Sequence, residues 1–167
     1  MLSKKTIIWL SEKQRILDNY IIDSKGFEVN DDILNKKIVA FIVELSEYAN
    51  EERSFKFWAN KPPSPLEIQL DEYIDGLHFL ISIGIQIEYD FNNFKHTNFG
   101  LDNNIDIYLS LINLISEFIK DKNHENYEDV LNIYLAIAEV KYYSESEIVD
   151  AYKLKNKINF ERQDNNY

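Results

Sequence analysis

Four carboxylates fall in two pairs of equal spacing, Glu44 with Glu47 and Glu72 with Asp75. On a helix, residues three apart share a face and lie about 4.5 Å apart along the axis. Two such faces brought together would gather four acidic side chains around one small volume. Hard, oxygen-preferring cations such as Mg²⁺ suit that donor set. Charged helix faces are usually solvated, so either pair alone is equally consistent with a water-facing surface. Two pairs flanking apolar stripes on consecutive helices are harder to dismiss. Like charges at this spacing cost about 0.2–0.5 kcal/mol each, and a cation is the natural compensation.

The elements that must position these pairs are legible as helices. Leu34, Ile38, Phe41, Ile42 and Leu45 follow helical spacing, and Asn30 ahead of Asp31 and Asp32 is a suitable N-cap. The KPPSP stretch then breaks the chain. Ser64, Pro65 and Glu67 read as a capping box opening a third helix that runs to about Glu88, with Leu70, Tyr73, Ile74, Leu77, Leu80, Ile81 and Ile85 on its buried face. A first helix is expected over about Leu10–Ser24, ended by Gly26. Residues 89–104 lack periodicity and read as a loop or lid. Helices are then expected over about Ile105–Lys120, Tyr127–Lys141 and Glu145–Phe160, the last opened by a Ser144–Glu147 capping box. IEYDF is compatible with a strand, but no convincing strand is present. The expected fold is all-α, a bundle of about six helices in one domain spanning residues 1–167.

Composition narrows the function classes. The chain has 167 residues, no cysteine and a formal net charge of −11. Thiol nucleophiles, zinc–thiolate sites and disulfides are excluded, and non-specific nucleic-acid binding, which needs basic surface, is disfavoured. No apolar run approaches the length that spans a bilayer, and the N-terminus lacks the pattern of a signal peptide, so a cytoplasmic protein without membrane contact is expected. An acidic chain would repel a polyphosphate unless cations and local basic residues reversed the sign nearby.

Four stretches, in order, carry a family resemblance. ELSEYANEERSFKFW followed by DEYIDGLHF resembles the dimeric, all-α dUTP pyrophosphatases, within the larger MazG-like group of nucleoside-triphosphate pyrophosphohydrolases. The larger group shares only the two acidic pairs; F-K-x-W and D-x-x-H-F look specific to the deoxyuridine branch. KQRILDNYI resembles that branch's first-helix motif, with Gln14 and Asp18 at matching places. AYKLKNKINFERQDNNY resembles its closing phosphate-binding segment at Lys155, Asn156, Asn159, Arg162, Gln163 and Tyr167. The likeness runs from about Gln14 to Tyr167, with little of it in residues 89–140. One departure is visible: Asn165 and Asn166 stand where the family has a glycine before the final tyrosine.

The resemblance implies hydrolysis of dUTP, and of dUDP, to dUMP by water attack at the β-phosphorus, which keeps uracil out of DNA. Glu44, Glu47, Glu72 and Asp75 would hold two or three Mg²⁺ ions, with Mn²⁺ as a substitute, and Glu44 would orient and deprotonate the water. Lys56 would help neutralise phosphate, and Trp58 would wall the pocket near the base or act across the interface of a homodimer. His78 would meet the 3′-hydroxyl and Phe79 crowd the 2′ position, which rejects ribose. Taken as residues, Gln14 offers both a donor and an acceptor to a uracil edge, with Asp18 one turn away and Asn159 a second base reader. Lys155, Asn159 and Arg162 share one helix face, as a phosphate clamp or as a basic surface stripe. His96, His124, Tyr108, Phe118 and Tyr134 are expected in structural roles. Two other readings stay open: a related pyrophosphohydrolase with another base preference, such as dCTP or a damaged nucleotide, and a helical module that only binds proteins.

Overall fold

The computed structural model describes residues 2–165. Among them are six α-helices, one 3₁₀ turn and no strand: α1 (Lys4–Lys25), α2 (Asp31–Glu52), α3 (Leu66–Gln86), the turn Phe91–Asn93, α4 (Asn104–Lys120), α5 (His124–Val140) and α6 (Glu145–Asp164). The all-α bundle expected from the periodicity is the fold observed.

α2 and α3 form an antiparallel hairpin, joined by residues 53–65. Both ends of the pair are stitched. At one end Ser64 donates its backbone N–H to Glu51 O and its hydroxyl to the Glu51 carboxylate; at the other, Gln86 Nε2 donates to Asn30 O at 2.8 Å. The expected capping box at Ser64 does not form for this reason. Ser64 spends its hydroxyl on α2, Pro65 takes the N-cap position, and no side chain caps α3. The other caps follow the sequence. Asn30 accepts from Ile33 N, Ser144 and Glu147 form a complete capping box, and Gly26 ends α1 at φ 66°.

α1 begins a turn and a half earlier than its apolar residues suggest. Ser3 accepts from Thr6 N and donates its hydroxyl to Glu145 at 2.7 Å, so the start of α1 is tied to the start of α6 and Ile7 is buried. α5 likewise starts at His124, capped by Asn123, and α6 continues four residues past Phe160.

α5 seats against α3 through two glycines. The Tyr134 hydroxyl donates to Tyr73 O at 2.7 Å and the Tyr127 hydroxyl to Leu80 O at 3.1 Å. A Cβ at Gly76 would fall 2.2 Å from the first hydroxyl, and one at Gly84 2.2 Å from the second. Tyr134 also stacks on Tyr73 at 5.0 Å and 5°. The core is thus aromatic behind α3, and it includes Phe118 while Tyr108 packs at its edge. Residues 89–104 are pinned to α5. Tyr89, Phe91 and Phe94 are buried, Asn132 bonds Lys95 O and Thr97 N, and His96 meets Glu139 at 3.1 Å. His124 meets Ile87 O at 2.8 Å.

Candidate active site

The α2–α3 hairpin brings three of the four singled-out carboxylates together. Glu44, Glu72 and Asp75 each offer an oxygen within 4.8 Å of the others, and all three are half-buried. Glu47, one turn further along α2, is exposed, yet its charge acts on Glu44 and Glu72. Burial, and then repulsion from Asp75, Glu47 and Glu72, pushes Glu44 up to about 7. Burial also raises Glu72 and Asp75. Buried carboxylates that repel one another in this way would be relieved by added positive charge. Oxygen donors at this spacing, with negative charge to spare, fit a divalent cation.

α6 packs against α3 and α1 and brings Lys155 to the cluster. Lys155 is 5% exposed and meets Asp75 Oδ2 at 2.6 Å and Asp71 Oδ2 at 2.8 Å. One and two turns on, Asn159 and Arg162 border the cavity that opens beside the cluster, and Arg162 Nη1 donates to Asn159 Oδ1 at 3.5 Å. The three residues therefore share one helix face, as their spacing indicates.

That cavity, about 560 Å³, runs between α1, α2, α3 and α6. Glu44 and Asp75 stand at one end, with His78 and Phe79 further along, then Gln14, Asp18, Ser82 and Lys37. A buried hydrogen-bond network forms the wall away from the acids. Gln14 Nε2 donates to Asp18 Oδ1 at 2.7 Å, and Gln14 Oε1 accepts from the Tyr152 hydroxyl at 2.8 Å and faces His78 Nδ1 at 2.6 Å. An amide oxygen only accepts, so Nδ1 of His78 carries the ring proton. Burial holds the imidazole neutral, its pKa lowered to about 3. Nε2 is thereby an acceptor, and it is buried without a partner among the described residues. Tyr152 stacks on the ring at 4.1 Å and 17°, fixing its plane.

Other singled-out residues lie elsewhere. Lys56 sits in the α2–α3 connection with its ammonium on Asn50, and Trp58 is 64% exposed beside Phe55 and Phe57; neither borders the cavity. Nor does any residue of the pinned segment 89–104. Tyr167 lies outside the described residues. Lys37, Ser82 and Tyr152 were not singled out from the sequence, although helical spacing could have found them. Lys37 stands two turns before Glu44, Ser82 one turn after His78, and Tyr152 three residues before Lys155.

No helix of the described residues is long and apolar enough to cross a membrane. A family model described as dUTPase matches residues 6–167. No curated protein matches the chain.

Proposed function

The chain belongs to the dUTPase family and is a dUTP diphosphatase, and from that premise we propose how its residues divide the work. The observation that carries the proposal is the convergence of Glu44, Glu72 and Asp75, with Glu44 raised to about 7 by burial and by the neighbouring carboxylates. These three would hold Mg²⁺, two or three ions or Mn²⁺ in their place, and Glu47 would complete the set from the rim. When bound, the metal neutralises the triphosphate and makes a coordinated water more acidic.

Glu44 orients the attacking water and takes its proton, from a position half-buried beside the other two acids. Lys155 and Arg162 cover phosphate charge from α6, Lys155 as a point charge and Arg162 as a planar fork. His78 accepts a hydrogen bond from the 3′-hydroxyl at Nε2, and Phe79 fills the space a 2′-hydroxyl would need. Asn159 and the remaining amide N–H of Gln14 face the base, with Asp18 beside Gln14 on the cavity wall. Attack at the β-phosphorus makes dUDP a second substrate.

The protein works as a cytoplasmic homodimer of single-domain chains. Phe55, Phe57 and Trp58 form an exposed aromatic cluster, with Phe57 92% exposed, which favours burial against a second copy. Lys56 and Trp58 would reach a neighbouring site from there, and Tyr167 is a further substrate-binding residue by its place in the family's closing segment.

The test is pyrophosphate release from dUTP in Mg²⁺ and in EDTA, with Glu72→Gln as the variant. Release in Mg²⁺ alone, at least about 10²-fold weaker in the variant, is expected. Equal release in EDTA would refute the metal assignment.

A further inference from the structure

Lys37 is the cavity residue with the least to do in the fold. Its side chain is 16% exposed, and its ammonium stands 3.7 Å from Asp18 Oδ2, beyond hydrogen-bond distance. Asp18 is its ion-pair partner at that length, and burial pulls its pKa down while Asp18 restores part of it. A mostly buried ammonium short of acceptors is costly. Its partner has room as well. Asp18 Oδ1 accepts from Gln14 and Oδ2 from Ser82 at 2.6 Å, whereas a carboxylate offers about four acceptor positions.

Position makes this pair meaningful. Lys37 precedes Glu44 by seven residues, two turns of α2, which places it on the same face about 10 Å along the axis. That is the reach of a nucleotide from its reacting phosphates to the far edge of its base. Ala40 lies between them and leaves the passage open.

We propose that Lys37 and Asp18 read the imide edge of uracil, the ammonium donating to a ring carbonyl and the carboxylate accepting from N3–H. This rests on the reading above that the nucleoside occupies the cavity. Cytosine inverts the edge: an amine replaces O4 and a bare acceptor replaces N3–H. Lys37 would then face a donor, or Asp18 an acceptor, inside a buried wall where such mismatches are penalised. Thymine carries the same edge as uracil, so this pair does not discriminate against it.

The experiment is calorimetric titration with dUMP and dCMP in EDTA, which removes any contribution of the metal cluster. For Lys37→Met, which keeps the apolar stem, dUMP binding should weaken about tenfold or more while dCMP changes little, so the preference collapses. An equal loss for both, or none, overturns the proposal. Should Lys37→Met not fold, the unaltered protein still decides: N3-methyl-dUMP should bind at least about tenfold more weakly than dUMP, and equal affinity overturns the idea. A failed metal assignment would leave these ratios untouched, so the two failures are distinguishable.

Discussion

At one end of the cavity Gln14, Asp18, Ser82, His78 and Tyr152 answer one another's hydrogen bonds. At the other, Glu44, Glu72 and Asp75 crowd like charges with Lys155 as the buried cation among them. The first end is organised by the chain's own groups and gains rigidity from a nearly complete network. The second is held in place by the packing of α2 on α3 against its own repulsion. One region is thus shaped by its own hydrogen bonds, while the other carries negative charge that a cation would relieve. The proposed reading gives specificity to the bonded end and reactivity to the frustrated one.

The contrast can be broken most sharply at Glu44. Glu44→Gln should lower dUTP turnover by about 10³-fold, measured as pyrophosphate release at saturating Mg²⁺. Turnover within a few-fold of the parent would mean that the acidic end is surface and not machinery. The same variant should repay that loss in stability. Folding raises Glu44 from 4.5 to about 7, so the native state binds more protons than the unfolded chain between those values. Stability therefore falls as pH rises from about 4.5 to 7 and stays low above. In EDTA at pH 8, urea denaturation should find Glu44→Gln more stable by on the order of 2 kcal/mol, and the advantage should vanish near pH 4.5.

The smallest effect belongs to the satisfied end. Tyr152→Phe removes one of two hydrogen bonds to Gln14 Oε1 and should cost about 1 kcal/mol. The imidazole of His78 should nonetheless keep its Nδ1–H tautomer and stay neutral down to pH 5, seen as invariant ¹⁵N ring shifts. A ring that titrates near 6.5 would show that this end is wetter and looser than the comparison holds.

The acidic pairs, the hairpin and the α6 stripe were legible because each depends on helical spacing, a property of neighbours along the chain. Gly26 likewise ended a helix through its left-handed backbone, and Asn30 and Ser144 opened helices through their side chains. Ser64 defeated its motif because its partner, Glu51, lies across a turn that no local pattern records. Residues 89–104 read as a loop or lid since they lack periodicity; they are irregular but for one 3₁₀ turn, and their aromatics and Asn132 anchor them to α5, which no local pattern records. Lys37 and Tyr152 passed unremarked for a related reason. A lysine or tyrosine on a helix acquires meaning only from what the opposite helix sets before it.

Gly76 and Gly84 carry a last consequence. The tyrosine hydroxyls of α5 rest where side chains on α3 would otherwise begin, and Gly76 is the immediate neighbour of Asp75. A single methyl group added on this hidden rear surface would therefore lever the helix forward and misalign the acids on its front. Mutational intolerance should run through the thickness of α3, so that the enzyme is most easily ruined from the side its substrate never visits.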